Sequence, residues 1–195
     1  MPLPEIYNSQ PSEIASYNYT DIADGTGIRI FYFCKTSDSY VLVQNQPAST
    51  GIVVGGNGVT VYDTDFDLSP FNSPQMIRGT LMCSMNCLLG SSAHGQITIY
   101  VRKWNPATST ETEIVNKTGT ALVHTGTGSA QSDLISLTVP PTIFAIGEQL
   151  RITVSLNVTA ADWVYYGADP ANTQWVSLAG ATNSRVYVPF QLSTL

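Results

Sequence analysis

Apolar and polar residues alternate with a period of two along Gln96-Ile97-Thr98-Ile99-Tyr100-Val101 and along Leu150-Arg151-Ile152-Thr153-Val154-Ser155-Leu156. In an extended chain successive side chains project to opposite faces, so each stretch buries one face and wets the other. Similar runs, rich in β-branched and aromatic residues and bounded by Gly, Pro, Asn or Ser, recur along the chain. They predict strands near 28–35, 39–44, 58–62, 75–89, 95–104, 112–115, 121–124, 134–139, 149–158, 163–166 and 185–192. No window longer than about ten residues places apolar side chains at i, i+3, i+4 and i+7 between two caps, so helices are expected to be short or absent. Pro189, which has no N–H to give to a ladder, is expected on an edge strand or at a strand end.

The fold class read from this pattern is all-β: a two-sheet β-sandwich of jelly-roll type, favoured by many strands and uneven loops. The absence of any repeat of roughly 20 to 50 residues argues against a propeller or a solenoid. Residues 1–26 have no sustained period and carry Pro2, Pro4, Pro11 and the turn signal Asp24-Gly25-Thr26-Gly27. They are read as an extended N-terminal arm that lies across a neighbouring subunit, and residues 27–195 as a single sandwich domain.

Composition narrows the function. Of the 195 residues 43% are hydrophobic, enough for one packed core, while 11% are charged, well under the roughly 25% of an average globular chain. A polar but weakly charged surface does little to keep copies apart and suits a homo-oligomer. The net charge of -6 opposes the phosphate backbone that a nucleic-acid binder must neutralise. Apolar stretches such as 28–34 and 186–190 fall far short of the ~20 residues of a membrane helix. Met1 is followed by Pro2-Leu3-Pro4-Glu5, with neither a basic nor an apolar leader region, so folding in a cytoplasm is expected. The odd number of cysteines, Cys34, Cys83 and Cys87, fits buried reduced thiols.

Candidate chemistry is sparse. His94 falls in a predicted hairpin tip and His124 at a strand end, neither beside a nucleophile, and the chain is expected not to be an enzyme. Cys83 and Cys87 share one face of the predicted strand 75–89 at a separation of roughly 13 Å, too far for one zinc ion. Asp63, Asp65 and Asp67 alternate, so three carboxylates project to one side. Calcium is the ion they would suit, against a reading as a solvated acidic strand edge, and no other cofactor is implied. Trp163, Tyr165, Tyr166 and Trp175, most of them near the turn at Gly167, are the candidates for a subunit interface or for stacking on sugar rings.

The runs Tyr62-Asp63-Thr64-Asp65-Phe66-Asp67-Leu68-Ser69-Pro70-Phe71, Met76-Ile77-Arg78-Gly79-Thr80 and Phe144-Ala145-Ile146-Gly147-Glu148-Gln149-Leu150-Arg151-Ile152 resemble small jelly-roll virion proteins of tailed bacteriophages. That resemblance implies a structural virion protein that decorates or cements a capsid, with itself, as a homo-oligomer for which a trimer is expected, and the major capsid protein or another virion protein as partners. The rival it leaves is a carbohydrate- or receptor-binding module of a tail or fibre. It also implies that 146–150 is a turn leading into a late strand.

Overall fold

A computed structural model describes residues 27–37, 39–47, 60–125, 129–159, 163–171 and 183–191. Ten strands form: β1 (Gly27–Lys35), β2 (Tyr40–Val43), β3 (Thr60–Asp67), β4 (Gln75–Leu89), β5 (His94–Asn105), β6 (Thr110–Val123), β7 (Ser129–Phe144), β8 (Gln149–Val158), β9 (Val164–Tyr166) and β10 (Arg185–Gln191). Among the described residues there is no helix, as the missing 3.6-residue period predicts. The expected arm, 1–26, lies outside the described residues.

The strands follow the order β6-β5-β8-β3-β2-β1-β10-β4-β7, with β9 added to β4. One layer is the antiparallel set β3-β8-β5-β6, the other β1-β10-β4-β7. β2 passes between them, antiparallel to β1 and joined to β3 through the single parallel pair Val41 and Asp67. Two four-stranded sheets with these connections make a jelly roll.

Phe31 and Phe33 of β1, Phe66 of β3, Ile97 and Ile99 of β5, Val154 and Leu156 of β8 and Val186 and Val188 of β10 fill the space between the layers, each almost wholly buried. Phe33 meets Phe66 edge to face at 4.9 Å between ring centroids, which ties the two layers together directly. Cys34, Cys83 and Cys87 are buried free thiols. Burial pushes all three above the ordinary thiol value, with Asp169 adding to the rise at Cys34 and Asp133 at Cys87.

Three features depart from the sequence reading. The two short strands expected at 112–115 and 121–124 are one strand, β6, because Gly119 does not turn the chain. It lets β6 pass close to β7, where an added Cβ would collide with the Asp133 carboxylate and the Ile135 side chain. β7 runs through Pro140 and Pro141 to Phe144, the two prolines facing Arg78 alone where the register with β4 slips between Ile77 and Gly79. Pro189 sits in an interior strand, between β1 and β4. It falls where the β10–β4 register shifts, against Gly79, whose φ of 115° gives β4 the local bend that a side-chain-bearing residue resists.

The curled sheet closes along one line without a ladder. β6 and β7 run antiparallel, yet the bonds joining them come from side chains: the Asp133 carboxylate accepts from the Thr120 N–H at 3.0 Å and from its hydroxyl at 2.7 Å. Lys117 Nζ donates to the Ser136 carbonyl at 2.8 Å, and Gln131 Nε2 to the Val123 carbonyl at 2.9 Å. Asp133 is 4% exposed, so these bonds satisfy a carboxylate that has left water.

Candidate functional site

The two outer faces of the sandwich differ in chemistry. On the β3-β8-β5-β6 layer the outward positions form cross-strand rungs, and the register places Asp67, Arg151, Arg102 and Glu113 side by side on the four strands. Arg151 holds Asp67 through two bonds, Nε to Oδ1 at 2.7 Å and Nη2 to Oδ2 at 2.8 Å, and reaches Glu111 at 2.9 Å and Asp65 at 3.3 Å. Its guanidinium also lies over the Trp104 ring at 4.2 Å. The bond to Asp67, then those to Glu111 and the neighbouring charges, raise Arg151 further above its ordinary value in spite of desolvation.

This arrangement gives the carboxylates expected to suit calcium a partner within the chain. Asp63, Asp65 and Asp67 do share a face, but Asp67 is occupied by Arg151, and Asp65 accepts from the Thr153 hydroxyl at 2.5 Å as well as facing Arg151. A guanidinium on the neighbouring strand therefore supplies the positive charge that calcium was expected to bring. Among the described residues no group of three or more His, Cys, Asp or Glu side chains could hold a metal ion.

The aromatic candidates separate. Trp163 and Tyr165 stack on each other at 4.9 Å and 27° beside the end of β4 and remain partly exposed. Tyr166, next in sequence and opposite in strand phase, is fully buried against Phe66, so it is a core residue and not an interface one. Burial pushes its hydroxyl above the ordinary value, the largest of several causes. Trp175 lies outside the described residues.

The outer face of β1-β10-β4-β7 mixes exposed apolar side chains with polar ones and with Arg78 and Arg185. Rows read across the strands are Tyr32, Arg185, Ser84 and Leu134, then Ile30, Tyr187, Met82 and Ser136, with Ile28 opposite Pro189 beyond them. Ile28 is 62% exposed, Ile30 41% and Leu134 66%. The one carboxylate carried by these four strands, Asp133, points inward to the seam.

At the end of the sandwich where β7 turns into β8, a groove of about 650 Å³ opens between β1–β2 and the 68–75 segment, walled by Arg29, Phe31, Leu42, Leu68, Phe71 and Gln75. The turn expected at 146–150 is present beside it. Glu148 accepts from the Ala145 N–H at 2.7 Å, and Phe71 and this turn exchange main-chain bonds of 2.9 and 3.0 Å.

No protein-family model and no curated protein matches the chain. Solved structures do. A CocE/NonD family hydrolase from Staphylococcus aureus superposes with a TM-score of 0.57 at 11% identity, over 86% of this chain and 37% of its own. An aminopeptidase from a marine sediment Thaumarchaeota archaeon gives 0.54 at 7% identity, over 84% of this chain and 37% of its own. The chain thus spans little more than a third of the length of these two proteins.

These matches correct the expectation that the chain is not an enzyme: its fold recurs inside CocE/NonD family hydrolases and an aminopeptidase. At such identities the shared property is the fold. His94 opens β5 and His124 follows β6, so the two histidines end adjacent paired strands at one end of the sandwich.

The exposed apolar residues of this face were missed among the sequence candidates, although a signal exists in β1. Leu134 of β7 stands between Ser132 and Ser136, whereas Ile28 and Ile30 of β1 are out of phase with the core residues Phe31 and Phe33, so β1 is apolar in both phases. Strands with that pattern are built to be covered on both sides.

Proposed function

We propose that the chain is a structural protein of a bacteriophage virion, made in the host cytoplasm, that decorates or cements the capsid through non-covalent subunit contacts. The observation that carries this reading is the set of large apolar side chains left open to solvent on the outer face of β1-β10-β4-β7 among the described residues, Ile28, Ile30 and Leu134. Covering such a face yields roughly 25 cal/mol for each Å² of apolar surface removed from water, less the freedom lost on association. The sparse charge and the jelly-roll framework, an architecture used by capsid and lectin domains, support the same reading. The test is the copy number of this chain in purified particles, by quantitative staining against the major shell subunit. A ratio near that of the shell supports decoration, a few copies move the protein to the tail or fibre, and none overturns the reading.

A second reading is favoured by the structural matches: a β-sandwich component working together with a hydrolase, since the chain spans 37% of two CocE/NonD family hydrolase chains at TM-scores of 0.57 and 0.54. Native complexes isolated from the source separate the two. Hydrolase or aminopeptidase activity that co-migrates with this chain favours the second.

A further inference from the structure

We infer that the open edge of β3 takes up an extended segment of another protein as an added strand, one that sets a lysine or arginine opposite Asp63. β3 is paired along its whole length with β8 but meets β2 only through Val41 and Asp67. The Leu68 N–H donates to the Leu150 carbonyl at 2.9 Å, and this fixes the phase of the ladder. In an antiparallel pair the main-chain groups of successive residues point alternately to one side and the other, so Thr60, Tyr62, Thr64 and Phe66 bond to β8. Val61 and Asp63 then turn two N–H and two C=O groups away from β8, where the register of the described strands gives them no partner. An unpaired row of this kind is a template for another strand.

The groove beside this edge has the size of a short strand. About 530 Å³ opens between Lys35 and Tyr40 on one wall and residues 61–65 on the other. A strand rises about 3.3 Å per residue, about 4.8 Å from its neighbour, in a layer about 10 Å deep, so three residues fill roughly 480 Å³. On the inward side the Tyr166 hydroxyl is buried without a hydrogen-bond partner, beside Thr64 and Tyr40 of the same groove. A buried hydroxyl left so costs stability until a polar neighbour arrives.

Charge selects the occupant. Outward along the edge stand Val61, 57% exposed, and Asp63, exposed and in no ion pair among the described residues, whereas Asp65 shares Arg151. Lys35 is the one cation among the lining residues, and its ammonium lies over the Tyr40 ring at 5.8 Å. An added strand therefore matches this edge with an apolar side chain opposite Val61 and, two positions away on the same face, a cation opposite Asp63. A second copy of the edge does not fit: antiparallel pairing centred on Asp63 sets that carboxylate against its own copy, which is unfavourable.

The experiment uses the full chain, isotope-labelled for amide exchange by NMR, and a capped seven-residue peptide with lysine at its centre, valine two places to either side and threonine elsewhere. The peptide is symmetric, so it can pair in either direction. In the free chain the Val61 and Asp63 amides should exchange fast, while those of Tyr62 and Thr64, bonded to β8, are protected. The peptide should protect the first two saturably, and a copy N-methylated at its three central residues should not. Asp63→Lys, at an exposed position, should keep the parent's circular dichroism melt, weaken the lysine peptide about fivefold and strengthen a glutamate-centred one by as much. Protection of Val61 and Asp63 in the free chain at every concentration would mean that the chain pairs this edge itself. Protection that grows with chain concentration would mean that a second copy does. Either result overturns the inference, as does a lysine peptide that protects nothing or that binds the parent and Asp63→Lys equally.

Discussion

Asp133 on β7 receives both the N–H and the hydroxyl of Thr120 on β6, at 3.0 and 2.7 Å, and these two bonds lie at the centre of the seam that closes the sheet. Replacing Asp133 with Ala removes two bonds to a charged acceptor, and because Thr120 is exposed and can turn its donors to water, the loss is about 1–2 kcal/mol. The urea midpoint should fall accordingly with the slope unchanged, and an unaltered midpoint would remove the seam from the account of stability.

Gly119 belongs to the same seam. Gly119→Ala drives a methyl into the Asp133 carboxylate and the Ile135 side chain, both fixed by their surroundings, and should cost about 1–3 kcal/mol by overpacking. An alanine variant as stable as the parent would mean that β6 and β7 separate freely here.

Arg151 should matter more than any other surface cation among the described residues. Arg151→Met keeps much of the aliphatic contact with Trp104 but leaves Asp65, Asp67 and Glu111 facing one another, and should lower stability by about 1–3 kcal/mol. Adding Asp67→Asn to this variant should recover part of the loss, which a double-mutant cycle measures.

Calcium at millimolar concentration should leave the melting temperature unchanged, because Arg151 and Thr153 already engage Asp65 and Asp67. A rise of several degrees would restore the acidic cluster as a metal site.

Alkaline pH should destabilise the fold. Cys83 and Cys87 have folded-state values raised above the ordinary 9.0 by burial, and Tyr166 above 10.0. All three are neutral when protonated, so their contribution is fully present below about pH 9. It is lost above that, as the unfolded chain releases protons that the folded chain retains, at up to ~1.4 kcal/mol per pH unit for each group. Urea midpoints between about pH 7 and pH 11 should show this decline, and a Cys83→Ala, Cys87→Ala double variant should show a shallower one.

Much of the sandwich was legible. The limits of β8, at 149–158, follow from clean alternation, and those of β4, at 75–89, from an apolar-rich run between turn residues. Gly119 and the Pro140-Pro141 pair were misread because their local meaning is a break. In the structure a neighbouring strand overrides it: Gly119 is where β7 comes close, and the prolines occupy a bulge opposite Arg78. The common face of Asp63, Asp65 and Asp67 was visible from period two alone. The cation that neutralises it was not, since nothing in the spacing says that β8 will lie beside β3 and bring Arg151 to Asp67. Tyr165 and Tyr166 show the same limit: strand phase says that one is inward, and only the register with Leu88 and Cys87 says which.

The seam between β6 and β7 has a mechanical meaning. Every other junction in the sheet is stitched by main-chain bonds that mutation cannot delete, whereas this one is a clasp of replaceable side chains, Lys117, Thr120, Gln131 and Asp133. The clasp can loosen while both strands keep their ladders to β5 and β4, so breathing of the sandwich is directed to one line along its flank, where its give can be tuned one residue at a time.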